Sequence, residues 1–434
     1  MYEPPDLNTY SSFDSSEVSL GRGFDMAPRK EGYASCFITM MNLLNTLIGA
    51  EILGIANSFT LCGLFLSIFL MIVTSLLSYA ATIIVLRLQN RTRSESINEM
   101  ATKLLGGWGG NLLSSLTLCF TYSAQVAYLI IATETIESWL KLAGHPEWTI
   151  GWRRSVVVFC YAIVLPIALT IPKKMTFLNT ASTFAIGFLM FFVVVMVYKG
   201  VTHIPKFGIN NTVESYVFSI NIFNALAIYA MIFALPAIVL PLLNPFDPSL
   251  SKRYFLIGGS FLTSFTVILI PSVCGYLMFG AGTEQIIFGS FDNHDLIIQI
   301  VRITFFFVVN ASFPVVGIAV TTDISSMLYK VHDPAKLDWK RRIKCLIIAD
   351  LPPLIVAMIL PKVRPVLEIG GAFGGCLTNF FFPPILWIKQ SSHPMTHWTN
   401  ILLILFSLFG LFSAAIATYE AILDCIHIIK HHGK

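Results

Sequence analysis

The chain reads as an all-α polytopic membrane protein with about 11 transmembrane helices arranged as a five-plus-five inverted repeat and one further helix. Three observations predict the membrane class. Of 434 residues, 55% are hydrophobic and 12% charged, whereas a soluble domain carries roughly a quarter charged residues. Mean hydropathy is +0.74. The apolar residues gather into runs near the roughly 20 residues that a bilayer crossing needs.

Taken in order, residues 1–34 are rich in Ser, Pro, Asp and Glu and poor in large aliphatics, which predicts a disordered cytoplasmic tail. The first apolar run comes too late and is too long for a signal peptide. A transmembrane domain over 35–430 follows. Its predicted spans are span 1 at 35–58, span 2 at 61–86, span 3 at 111–140, span 4 at 154–171 and span 5 at 176–199. Span 6 covers 217–242, span 7 254–280, span 8 296–328, span 9 343–360, span 10 364–388 and span 11 399–429. Repeat one would run over about 35–199 and repeat two over about 217–388. Spans 3 and 8 exceed a bilayer's thickness, which predicts tilt or extension into water.

Orientation follows from the basic residues. With the N-terminus cytoplasmic, the inside segments hold twice as many Lys and Arg as the outside ones. The Asn210-Asn211-Thr212 sequon between spans 5 and 6 then lies outside, making Asn210 a glycosylation candidate. Plasma membrane and vacuolar or lysosomal membrane are both compatible. The eight cysteines are scattered without a CxxC pair and read as structural thiols. No P-loop, HExxH motif or nucleophile elbow is present. The chain is therefore read as not an enzyme and as needing no cofactor beyond a possible bound sodium ion. The expected partners are a small-molecule substrate and the lipid bilayer, with no nucleic acid.

Span 1 holds the first functional signal. Gly49, Ala50 and Glu51 interrupt it near its middle, and Gly54 follows. A broken helix exposes N–H groups at one new end and carbonyls at the other, which suit a carboxylate and a cation respectively. The alternative is glycine used for close helix packing. Span 6 shows a matching interruption at Phe233-Ala234-Leu235-Pro236; taken alone, it reads equally as a proline kink. The two spans lie five positions apart in the helix order, as an inverted repeat of five plus five requires. In span 8, Arg302 needs a counter-charge or carbonyls, with Glu134 a candidate. Asn310 and Ser312 precede Pro314 and offer oxygens to a cation, or else Ser312 bonds to its own helix. Tyr128 lines a site or merely packs. Asp350, mid-span 9, needs a partner or a proton.

These segments are similar, in order, to the amino acid/auxin permease family, which includes the sodium-coupled neutral amino acid transporters. Asn42-Leu43-Leu44-Asn45 with Gly49-Ala50-Glu51-Ile52-Leu53-Gly54 resembles the family's asparagine-rich lead into GSGILG. Leu165-Pro166-Ile167-Ala168-Leu169 and Leu178-Asn179-Thr180-Ala181-Ser182 resemble its span 4–5 signature. Gly275-Tyr276-Leu277-Met278-Phe279-Gly280 resembles its GYLxFG, Val301-Arg302 with Pro314 its span 8, and Gly370-Gly371-Ala372-Phe373-Gly374 with Phe382-Pro383-Pro384 its span 10.

The resemblance implies a LeuT-type fold and secondary active amino acid transport by alternating access, coupled to sodium or a proton. It implies a substrate site at Gly49, Ala50, Glu51, Tyr128, Phe233 and Ala234, and a sodium site at Asn45 and Ser312. Two positions depart from the pattern. Leu235 stands where the family has a histidine. Glu51 replaces the second glycine of GSG, setting a carboxylate beside the expected carboxylate pocket, so it either takes a proton or meets an amine of a cationic substrate. The other readings are a non-transporting amino acid sensor on the same fold and a carrier of cationic amines or polyamines.

Overall fold

Every apolar run lies on a helix or an interrupted helix in the computed structural model, which describes residues 33, 35–172, 176–244, 246–331 and 334–432 (backbone alone at 176–183 and 431–432). The expected tail, apart from Tyr33, lies outside the described residues. Span 1 is split into α1a (Cys36–Leu47) and α1b (Ile52–Cys62), bent by 55°. Then come α2 (Leu64–Thr92), α3 (Gly107–Leu142), α4 (Gly151–Thr170) and α5 (Thr176–Phe207). Span 6 is split into α6a (Ile222–Ile232) and α6b (Val239–Leu243). The remaining helices are α7 (Leu250–Phe279), α8 (Leu296–Tyr329), α9 (Trp339–Ile359), α10 (Arg364–Gln390) and α11 (Trp398–His432).

Among the described residues, eight helices are long and apolar enough to cross a bilayer, and the bent α1 pair makes a ninth. The structure thus supports eight or nine crossings by length and composition, against the eleven expected. The difference falls on two elements: α6a has 11 residues, and α9 carries Arg342, Lys344 and Asp350 along its apolar stretch. Large apolar side chains are exposed along one side of several helices: Phe65, Phe69, Ile72 and Leu76 on α2, and Leu402, Leu405, Phe409 and Phe412 on α11. At three- and four-residue spacing these form stripes that only lipid can cover. The protein is a multi-pass integral membrane protein.

Between α2 and α3, the short helix Ile97–Leu105 is set by its sequence. Glu99 N–H donates to Ser96 Oγ at 3.2 Å, and the Glu99 carboxylate reaches back to the Glu95 N–H at 2.8 Å. This is capping-box chemistry.

α10 holds the centre. Its middle, Gly371–Phe381, widens into a π-helix, a form that recurs at functional sites. Its glycines press it against three neighbours. A Cβ on Gly371 would collide with the Ala227 carbonyl of α6a, one on Gly375 with the Ala230 backbone, and one on Gly374 with Phe120 of α3. Gly410 of α11 would meet the Cys376 carbonyl oxygen at 2.8 Å. Small residues let helix backbones approach where lipid supplies no hydrophobic drive.

The α1b–α2 turn anchors the α5–α6 connection. Gly63 has φ 79° and ψ 174°, a region essentially reserved for glycine. The N–H groups of Leu64 and Phe65 donate to Glu214 and Ser215 carbonyls at 2.8 and 3.0 Å, and Val217 N–H donates to Cys62 O at 2.7 Å. A Cβ at position 63 would lie 2.9 Å from Glu214 O. Gly63→Ala is expected to lower stability by about 1–3 kcal/mol, read as a lower melting temperature in detergent and faster amide exchange at residues 214–217.

Candidate functional site

The α1 break begins where regular hydrogen bonding stops. Ile48 closes α1a by donating to Leu44 O at 2.8 Å, with φ −107° and ψ 81°. Backbone bonding resumes when Ile52, Leu53 and Gly54 donate to Gly49, Ala50 and Glu51 carbonyls at 3.4, 3.2 and 2.9 Å. Among the described residues, the N–H groups of Gly49, Ala50 and Glu51 have no backbone acceptor. This is the orphan-donor end of α1b, and it favours negative charge.

A carboxyl group is already there. The Glu51 side chain turns back along the chain, toward its own backbone N–H and over Gly49, where a Cβ would collide with Oε2. Tyr128, buried in α3, lies within electrostatic reach of that carboxylate. Gly49, Ala50, Glu51 and Tyr128 therefore meet at one place.

The second break is built differently. α6a ends at Ile232, and Leu235 N–H turns back to Phe233 O at 2.8 Å, ahead of Pro236. Phe233 and Ala234 are buried there. The Phe233 ring packs on Phe261 of α7 with centroids 6.1 Å apart. Among the described residues, no hydrogen bond or ring contact joins Phe233 or Ala234 to the α1 break. The two broken helices are tied one turn further on, where Ser58 Oγ donates to Tyr229 Oη at 3.0 Å. Asn57 Nδ2 donates to Thr283 O at 2.7 Å, tying α1b to the α7–α8 connection as well.

The expected sodium pair is placed apart. Asn45 lines a cavity of about 10 Å³ with Leu44, Ile48 and three α5 residues, Ile186, Leu189 and Met190. That is room for about one water, and its other walls are apolar. Ser312 is half-buried in α8. Among the described residues, neither side chain has a hydrogen-bond partner, so both oxygens are unclaimed, but no shared contact joins them. Asn310 is committed to structure instead. Its Oδ1 accepts from Tyr161 Oη at 2.6 Å, and its Nδ2 donates to Phe306 O at 2.7 Å.

Arg302 and Asp350, both buried in the spans, have hydrogen-bond partners. Arg302, 1% exposed, donates through Nη2 to Phe288 O at 2.6 Å and Asn293 Oδ1 at 3.3 Å. Glu134 faces it without closing an ion pair. Asp350 accepts from Thr170 Oγ1 at 2.9 Å and Gln125 Nε2 at 3.4 Å. Sequence reasoning missed Glu368 of α10. It is fully buried, with Arg364 Nε 3.4 Å away, while Arg364 Nη2 reaches Asp424 at 2.7 Å. A signal was available, because an arginine four residues before a glutamate in an apolar helix is an ion-pair spacing.

The sequon is ordered against α7. Asn210 Oδ1 accepts from Thr212 N–H at 2.9 Å and Thr212 Oγ1 at 2.7 Å, and Asn210 N–H donates to Leu277 O at 3.1 Å. Beside it, a cleft of about 400 Å³ is lined by Thr60, Glu214 and Tyr276, among others.

A family model described as transmembrane amino acid transporter protein matches residues 32–423. The sodium-coupled neutral amino acid symporter 2 of Danio rerio is 23% identical over 415 residues, covering 88% of this chain and 81% of that protein. Among solved structures, the Eremococcus coleocola manganese transporter, crystallised with an aromatic bis-isothiourea compound, superposes with a TM-score of 0.53 at 13% identity. The match covers 96% of this chain and 98% of the transporter. At that identity the likeness speaks for the fold.

Proposed function

The chain belongs to the transmembrane amino acid transporter family, and from that premise we propose that it is a secondary active carrier of amino acids, driven by the sodium gradient through alternating access. The observation that carries this reading is the α1 break, where among the described residues the N–H groups of Gly49, Ala50 and Glu51 have no backbone acceptor, together with a second interruption in α6. Paired broken helices place solute and ion sites midway through a bilayer. Gly49, Ala50, Glu51 and Tyr128 are the substrate side of the site, with Phe233 and Ala234 contributed by the second break. Sodium is favoured over a proton by the sodium-coupled relative and by the unclaimed oxygens of Asn45 and Ser312. The N-terminus is cytoplasmic, which puts Asn210 outside, and the two repeats run over about 35–199 and 217–388.

Purified protein in proteoliposomes tests this directly. Labelled amino acids are expected to accumulate under an imposed sodium gradient and not under a proton gradient alone. Ser312→Ala is expected to weaken sodium activation by about tenfold, the loss of one oxygen ligand to a charge. Proton-driven accumulation that ignores sodium would remove the sodium assignment; no accumulation of amino acids, their amides or their amines under either gradient would remove the carrier reading. Orientation has its own check: expression in a glycosylating host should give a glycosidase-sensitive mass shift that Asn210→Gln abolishes.

A further inference from the structure

The α1 break holds a carboxylate that no other part of the protein claims. Glu51 stands at the start of α1b with φ −57° and ψ −24°, and its side chain caps no helix N–H of the following turn. It lies back over Gly49, in the space a Cβ there would need, with Cδ 2.9 Å from that point. Among the described residues, no Lys, Arg or His forms an ion pair with it and no other side chain donates to it. Four other acidic groups differ: Glu137 pairs with Arg154 at 2.8 Å, Asp424 and Glu368 share Arg364, and Asp350 has two side-chain donors. The one ionisable neighbour recorded for Glu51 is Tyr128, which brings no positive charge.

A charge in low-dielectric surroundings needs a counter-charge or hydrogen-bond donors. One donor is present, the Glu51 N–H toward which its own carboxylate turns, at a helix end that favours a single anion. Among the described residues no counter-charge stands beside it, which leaves the solute to bring one. A solute bringing its own α-carboxylate to the same donors would meet the Glu51 charge head-on, and repulsion of this kind excludes ligands as effectively as attraction selects them.

We propose that Glu51 supplies the carboxylate of the substrate cradle from within the protein, so that the preferred solute is an amine whose own α-carboxylate is absent or blocked, with its ammonium group meeting Glu51. The proposal rests on the carrier reading above and narrows its substrate class to the amides and decarboxylated amines of amino acids.

The test is uptake into proteoliposomes of matched sets of amino acids, their carboxamides and their decarboxylated amines, by wild type, Glu51→Gly and Glu51→Gln. Wild type is expected to take up amides and amines at least about 30-fold more efficiently than the parent acids, the scale of a buried charge pair made or lost. Glu51→Gly, which restores an uncharged cradle, should reverse that order. Glu51→Gln keeps the side chain's size and should lose the preference for amines, so the proposal stays testable should the glycine variant fail to fold. A wild-type preference for the parent acids, unchanged in both variants, would overturn the proposal and leave the carrier reading standing. No uptake of any of the three classes by monodisperse protein would overturn the carrier reading itself.

Discussion

Gly371→Leu and Gly375→Leu are each expected to abolish recovery of folded protein. The argument is geometric. Even a Cβ at position 371 collides with the Ala227 carbonyl, and one at 375 reaches the Ala230 backbone carbon. Both obstacles are backbone atoms of α6a, which cannot rotate away. Asn379 Nδ2 donates to Ala230 O at 3.4 Å from one turn further along α10, so separating the helices also strands a buried amide. Alanine should cost about 3 kcal/mol or more at either position, above the usual range for overpacking because nothing flexible can yield. Leucine should leave no monodisperse peak in size-exclusion chromatography. Gly187, where a Cβ meets nothing within 4 Å, is the control: alanine there should leave the elution profile unchanged.

Arg302→Ala should cost about 3–5 kcal/mol, the range for breaking a buried charged cluster by removing one member. The guanidinium is 1% exposed and satisfies Phe288 O and Asn293 Oδ1. Without it those acceptors lose their donor, and Glu134 loses the positive charge it faces. Thermal unfolding in detergent measures the loss. Combining Arg302→Met with Glu134→Gln should recover part of it, because an apolar side chain of similar length refills the volume once the opposing charge is gone. A loss in the double variant equal to the sum of the Arg302→Met and Glu134→Gln losses would show that Glu134 and Arg302 are uncoupled.

The class of the protein and the place of both breaks were legible in the sequence because each is a local property. Long apolar runs, Gly49 within α1 and Pro236 after α6a mark where a helix forms or fails, whatever it packs against. What was not legible depends on neighbours distant in sequence. The Asn310 oxygen looked available to a cation until Tyr161 of α4 claimed it. Arg364 and Asp424 lie 60 positions apart in sequence, yet they join over Glu368, whose burial comes from its surroundings in the bundle. α10 widens into a π-helix and approaches α3, α6a and α11 closely, none of which a run of glycines names. Glu51 was recognisable as a departure from the family pattern. Its fold back over Gly49 was not, since a side-chain rotamer leaves no trace in residue order.

Amide hydrogen exchange across the α1 break tests the central claim, that transported solute is held at that break. Among the described residues, the amides of Gly49, Ala50 and Glu51 have no backbone acceptor and should exchange quickly in solute-free protein. With saturating transported solute, exchange in peptides covering residues 48–53 should slow by at least about tenfold, while the α1b–α2 turn around residues 62–65 stays unchanged. Solute that is transported at full rate yet leaves 48–53 unprotected, with protection appearing elsewhere, would contradict the account and move the site away from the break.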